Sequence, residues 1–254
     1  MGACDFRCCT CLPLFVVMFG DSPNDLLNNL NEEHPLVVAV EYISKEESAD
    51  VAAGSASAKH GVTGILAVQG AFAEHAAMLD RLGAPWKLLR AAEDFDDSID
   101  RVILPGGEST TQGKLLRSTG LFEPIAAHIA AGKPVFGTCA GMILLARKLD
   151  NDSNIYFGAL DAVVRRNAYG RQLGSFRTVA PCAGLPGVPD GETADIPMTF
   201  IRAPFIKAVP EDVKVLATVD DRIAAVCHGN QLGVSFHPEL DDDLRIHELL
   251  VSLI

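Results

Sequence analysis

From Gly61 onward the chain repeats one pattern: a short apolar run, a turn rich in glycine or other small residues, then an amphipathic segment. This alternation constrains the fold more than any other feature. Strands separated by helical segments pair in parallel through crossovers, and the helices then cover both faces of the sheet. Residues 62–68 (VTGILAV) read as a buried strand, followed by a helix over 72–82 with Met78, Leu79 and Leu82 on one side and Gly83 as its stop. Further strands are expected at 86–89, at 100–104, where Pro105-Gly106-Gly107 ends the run, and at 134–137. Between the last two, 113–129 reads as mostly helical with breaks near Gly120 and Pro124, and a helix is expected from Ala140 through Leu149. Beyond Tyr156 the pattern becomes β-rich, with strands expected at 162–164, 174–179, 199–201, 213–219, 223–228 and 232–236 before a closing helix over 242–254. The segment 183–197 reads as a surface loop.

The 254 residues suffice for one sizeable α/β domain plus an appendage. The appendage is 1–60, which holds 3 Lys+Arg and 9 Asp+Glu, a net of −6, against 18 and 24 in the remaining 194 residues, also −6. Its end, 46–60 (EESADVAAGSASAKH), has the small polar composition of a linker. The domain boundaries expected are thus 1–60 and 61–254. A disordered extension and an upstream start-codon artefact account equally well for the leader. Four of the seven cysteines (Cys4, Cys8, Cys9, Cys11) crowd the first eleven residues, with no second cysteine/histidine pair at finger-like spacing, so no metal site is assigned. The others, Cys139, Cys182 and Cys227, lie far apart, which suits a reducing, cytoplasmic compartment better than a disulfide framework. The net charge of −12 leaves no basic footprint for a nucleic acid. The early apolar run 12–19 is too short to span a bilayer.

In parallel α/β sheets, ligands gather beyond the carboxyl ends of the strands. Three such places carry chemistry. Gly137-Thr138-Cys139-Ala140-Gly141 is a G-x-C-x-G at a strand-to-helix junction, the shape of a nucleophile elbow with Cys in place of Ser. The small residues permit the sharp turn, and the helix start favours a thiolate. A core cysteine in a tight turn is the bland alternative. His237-Pro238-Glu239 follows the strand at 232–236; in an extended segment the two side chains share a side, and a carboxylate beside a histidine fixes its tautomer and stabilises the imidazolium. An acidic surface turn is the alternative there. His228 is the only serious rival histidine, while His75 could contact a partner or cap a helix. The third place is LPGGESTT at 104–111, where paired glycines let backbone N–H groups face a ligand and Glu108 and Ser109 add a carboxylate and a hydroxyl; an ordinary strand–turn–helix with Ser/Thr capping accounts for the segment equally well. Arg166 and Arg202 supply forks suited to a carboxylate, although a solvated surface charge is the commoner role of any one arginine.

These residues carry a resemblance. The blocks GILAVQGAF (64–72), LPGGESTT (104–111), GTCAGMILLA (137–146), RNAYGRQ (166–172), FIRAP (200–204) and SFHPEL (235–240) occur in the order found in glutaminase subunits of pyridoxal 5′-phosphate synthase, a branch of the class I glutamine amidotransferases. The likeness spans about three quarters of the chain; the leader has no counterpart, and 183–197 is several residues longer than usual.

The resemblance implies a three-layer, flavodoxin-like α/β domain with a mostly parallel central sheet and an additional β-rich portion. It implies Cys139 as nucleophile and His237 with Glu239 as its relay pair. Gly107, Glu108, Ser109, Arg166, Ile201 and Arg202 would then line the glutamine site. The implied reaction hydrolyses L-glutamine to glutamate and ammonia without cofactor or metal, and passes the ammonia to a synthase subunit within a large hetero-oligomer. The alternatives are the glutaminase of another biosynthetic pathway and a non-catalytic protein of the same fold; RNAYGRQ with FIRAP favours the vitamin B6 branch.

Overall fold

The computed structural model of the chain describes residues 61–166 and 175–253. The expectations for 1–60 and for 167–172 of the RNAYGRQ block lie outside these residues.

The chain opens with β1 (Val62–Leu66), α1 (Phe72–Leu82), β2 (Trp86–Leu89) and, after a single 3₁₀ turn, β3 (Ile99–Leu104). Next come α2 (Ser109–Ser118), α3 (Phe122–Ala130), β4 (Val135–Thr138) and α4 (Ala140–Leu145). The β-rich portion holds β5 (Ala146–Leu149), β6 (Leu160–Arg165), β7 (Ser175–Ala183), β8 (Thr193–Ile201), β9 (Phe205–Ala208), β10 (Lys214–Val219), β11 (Arg222–His228) and β12 (Gln231–Val234). A 3₁₀ turn at Pro238–Leu240 and α5 (Arg245–Ser252) close the domain. No helix among the described residues is long and apolar enough to cross a membrane.

The main sheet runs β2-β1-β3-β4-β12-β11-β10-β7-β8. Its first five strands pair in parallel and the rest antiparallel, with β12 belonging to both parts. Alternating side chains of the parallel part feed two cores, as the two-residue strand period requires. Ile65, Ile103, Phe136 and Val234 meet Leu79 of α1 and Ile246 and Leu250 of α5 on one face. Leu66, Val102, Leu104 and Val135 meet Leu116 of α2, Ile125 of α3 and Met142 of α4 on the other. The result is three layers, as expected.

Local chemistry sets the element ends. Gly83 takes the left-handed conformation (φ 64°) at the end of α1; its N–H bonds to the Asp80 carbonyl, and Ala84 N–H to that of Leu79. Glu108 caps α2 by accepting from Thr110 N (3.0 Å) and Thr111 N (2.7 Å). The helical stretch expected at 113–129 therefore starts at Ser109 and divides at Gly120 (φ 74°), while Pro124 falls in the first turn of α3, where its missing N–H is harmless. Asp220 and Asp221 (φ 49° and 59°) make the two-residue turn between β10 and β11 that matches strand twist.

Three expectations need correction. The helix from Ala140 stops at Leu145, because Ala146–Leu149 leaves the helical path and pairs in parallel with β6. Sheet pairing there overrides the helical propensity of LLARKL (144–149), with Arg147 and Lys148 exposed and Leu149 buried. The loop expected at 183–197 is shorter: β8 starts at Thr193 and buries Ile196, Met198 and Phe200 in alternation. Pro197 hid this strand from sequence reasoning, yet β8 is an edge strand, where a missing donor is tolerated. The four-residue strand β9 was not expected at all, being too short to show periodicity.

One edge contact fastens the end of β12 to the rest. Asp241, just past the 3₁₀ turn, accepts from Thr199 N (3.0 Å), Thr199 Oγ1 (2.8 Å) and Arg177 Nη2 (2.6 Å). The Thr199 carbonyl in turn accepts from His237 N (2.8 Å). Asp241→Ala leaves the edge-strand N–H of Thr199 without its partner and should cost about 1–3 kcal/mol. Chemical denaturation of variant and parent, compared at matched slope, measures that loss.

Candidate active site

The chain ends of β3, β4 and β12, three neighbours in the sheet, converge on one place. The register sets Leu104 beside Gly137, Gly137 beside Gly233, and Thr138 beside Val234. Pro105-Gly106-Gly107, Cys139 and His237 therefore leave the sheet at the same edge.

Cys139 has φ 47° and ψ −100°, a conformation costly for a side chain with a Cβ. Its surroundings impose it. A Cβ on Gly137 would meet the Gly141 carbonyl carbon at 2.5 Å and Met142 N at 2.7 Å, and one on Gly141 would overlap the Leu104 carbonyl of β3. The turn is thus pressed flat against β3. Cys139 N donates to the Val234 carbonyl (2.9 Å), and its own carbonyl accepts from Ile143 N (3.2 Å). The cysteine joins β4 to α4 and keeps 7% of its surface exposed.

His237 and Glu239 are equally enclosed, at 7% and 6% exposure. His237 Nδ1 lies 2.7 Å from Glu239 Oε1. The extended geometry expected at 237–239 gives way to a 3₁₀ turn with Pro238 at its first position, and the turn itself brings the two side chains together. Burial works against a charge on His237, but bonding to Cys139 and Glu239 and their negative charge outweigh it, so its pKa is pushed up to about 10. Gly106 approaches the ring so closely that a side chain there would overlap it.

The other expected residues fall into two groups. Gly107, Glu108 and Ser109 follow β3. Gln69, on the turn after β1, reaches over Gly107 and accepts from Glu108 N (2.9 Å), while Gln112 Nε2 ties Gln69 O (3.0 Å) to Pro105 O (3.1 Å). Burial acts against the Glu108 carboxylate, yet bonds from Thr111 and Thr110 hold its pKa below the usual value. Arg166, at the end of β6, pairs with Glu108 (3.4 Å) and with Asp152, which joins this part of the β-rich portion to the β3 turn. Ile201 and Arg202 (φ 43°) lie at the end of β8, two and three residues past the Thr199 carbonyl that holds His237. His228, the rival histidine, pairs instead with Asp212 at 3.3 Å.

Sequence reasoning did not assign Gln69, Gln112, Thr199 or Asp241. Gln69 had a usable signal, since it directly follows a strand whose carboxyl end faces the site. The other three act through contacts across the fold and left none.

Comparison with known proteins now decides the family. The profile of the SNO glutamine amidotransferase family matches residues 65–254. The chain belongs to that family. Among its members, a protein of Bifidobacterium longum named pyridoxal 5′-phosphate synthase subunit PdxT is 71% identical over 192 residues, covering 76% of this chain and 100% of the relative. The protein of that name from Bifidobacterium adolescentis is 69% identical over 208 residues, again with 76% and 100% covered. A crystal structure of a glutamine amidotransferase superposes with a TM-score of 0.68 at 39% identity, covering 76% of this chain and 98% of that one. The Thermotoga maritima PurLQS structure, at 19% identity and a TM-score of 0.56, shares the fold. The class I glutamine amidotransferase-like fold expected from the sequence is thus the fold observed.

The His237–Glu239 contact gives a signed pH prediction. A histidine whose pKa rises on folding, from about 6.5 to about 10, adds stability that is fully present below pH 6.5 and lost as the pH rises through 10. Glu239→Gln removes the carboxylate's charge. The His237 titration followed by NMR should move to lower pH, and the stability gap between parent and variant should narrow as the pH approaches 10.

Proposed function

We propose that this chain is the glutaminase subunit of a pyridoxal 5′-phosphate synthase, with Cys139 as nucleophile and His237 and Glu239 as its relay pair. One observation carries the assignment of roles: a strained cysteine elbow beside a histidine whose pKa is raised by bonding to that cysteine and to a buried carboxylate, within a chain that matches PdxT proteins over their whole length.

The chemistry follows from this arrangement. Cys139 attacks the side-chain amide carbon of glutamine as a thiolate. The tetrahedral oxyanion is met by backbone N–H groups near Gly107 and at Ala140, an effect worth ~3 kcal/mol per donor. His237, protonated at neutral pH, gives its proton to the departing nitrogen, and ammonia leaves. The imidazole then takes a proton from water, which attacks the thioester and releases glutamate and free Cys139. Glu239 holds the ring and compensates its charge throughout. Gly107, Glu108, Ser109, Arg166, Ile201 and Arg202 form the glutamine site in this reading, the two arginines facing the α-carboxylate.

Ammonia released into neutral water is protonated and loses its nucleophilicity. A synthase subunit docked over the site, within a large hetero-oligomer, would receive it through a closed path. The scattered free thiols Cys139, Cys182 and Cys227 suit a cytoplasmic setting.

Glutamine hydrolysis measured with and without purified synthase subunit tests the reading. Activity should appear with the synthase and vanish in Cys139→Ala; activity surviving that change would remove the nucleophile assignment. Arg202→Ala should raise the KM for glutamine by about tenfold or more, as expected for a lost carboxylate contact of 1.4 kcal/mol or above. An unaltered KM would count against that residue's role.

A further inference from the structure

Behind the His237–Glu239 pair lies a second histidine pair that the mechanism does not use. His75 of α1 and His247 of α5 are both fully buried. His75 Nδ1 lies 2.9 Å from His247 Nε2. His75 Nε2 lies 3.2 Å from Thr138 Oγ1, on the residue before Cys139, and 3.6 Å from Glu239 Oε2. That carboxylate oxygen makes no hydrogen bond among the described residues; its twin, Oε1, bonds His237. The Phe136 ring packs edge-on against both imidazoles and seals the pair in apolar surroundings.

Burial, then the charges of His247 and His237, holds His75 well below its ordinary pKa. Burial, then the charge of Arg81, pushes His247 down to about 3. Both rings are therefore neutral, and each carries one N–H. Two tautomer arrangements satisfy the contact between them. In the first, His75 donates from Nδ1. Its Nε2 lone pair then accepts from the Thr138 hydroxyl but also faces the Glu239 carboxylate 3.6 Å away, and His247 is left with a buried Nδ1–H that has no acceptor among the described residues. In the second, His247 donates from Nε2, and His75 carries its proton on Nε2, toward Glu239 Oε2 and Thr138 Oγ1. The Nε2–H then bonds Thr138 Oγ1 and points its positive end at Glu239 Oε2, 3.6 Å away, and the groups without a hydrogen bond are that oxygen and a lone pair on His247 Nδ1. A lone pair turned to a buried carboxylate is repulsive, and an orphaned N–H is rarer in folded proteins than an under-used acceptor. The second arrangement wins on both counts.

We propose that His75 is a positioning residue of the active site: its Nε2–H steadies the second oxygen of Glu239, and His247 fixes the tautomer that makes this possible. The claim rests on the reading of Cys139, His237 and Glu239 given above. Its consequence is a directed series of contacts from α5 through α1 to the carboxylate, which holds Glu239 with its first oxygen on His237. Two helices remote in sequence thereby set the orientation of the base.

Two measurements on the full-length chain test this. In the unaltered protein labelled with ¹⁵N-histidine, long-range ¹H–¹⁵N spectra report each ring's tautomer. His75 should be the Nε2–H form, and an Nδ1–H form would overturn the proposal whether or not any variant folds. Glutaminase kinetics with the synthase subunit present supply the second. His75→Leu keeps the volume and removes the donor, so kcat should fall at least about tenfold with KM unchanged. His75→Gln offers an amide N–H near the same place and should recover most of that loss. A folded His75→Leu with the parent's kcat would overturn the proposal. Cys139→Ala is assayed in parallel. If it is inactive while His75→Leu matches the parent, only the role of His75 falls. If it stays active, the reading of the whole site falls with it.

Discussion

The arrangement of this domain depends on the close approach of two backbones, the turn after β4 and the end of β3. Gly137 and Gly141 have no room for a side chain, and between them Cys139 is forced into a left-handed conformation. The contact fixes where the thiol emerges and where α4 begins. From there α4 runs six residues before the chain leaves to pair with β6. The strain at Cys139 is stored in the fold and offset by the packing of a fully buried helix behind it.

Around that turn the buried polar groups divide by charge. His237, with Cys139 and Glu239 for neighbours, is held in its charged form, while His75 and His247 are held neutral by apolar burial only one residue further in. The same carboxylate faces both, at 2.7 Å and 3.6 Å. Burial penalises charge at every one of these positions. What separates them is the company each ring keeps: Cys139 and Glu239 bond His237 and compensate its charge, whereas the positive groups around His75 and His247 oppose one.

Much of this was legible in the sequence. Helix α1 has the bounds that its apolar spacing and Gly83 predict, and β2 likewise coincides with its apolar run. The G-x-C-x-G and H-x-E segments were found because their rarity comes from local demands: small residues for a tight turn, and a carboxylate two positions from an imidazole. The misreadings share a cause. Residues 146–149 have good helical propensity, and Pro197 breaks a strand pattern; in both cases pairing with the neighbouring strand decided the outcome, which local propensity does not report. His75 looked like a helix cap or a contact for a partner. It is neither, because the face of α1 that carries it turns inward against α5.

The sequence alone determined which segments become strands and helices in the parallel half, and which residues carry reactive groups, because periodicity and turn chemistry act over a few residues. Only the tertiary structure decided that β3, β4 and β12 lie side by side, since pairing across nearly a hundred residues depends on which faces can be buried together. The same holds for the turn at Pro238, the clamp at Asp241 and the buried histidines. Each is set by distances between segments that the linear order leaves free.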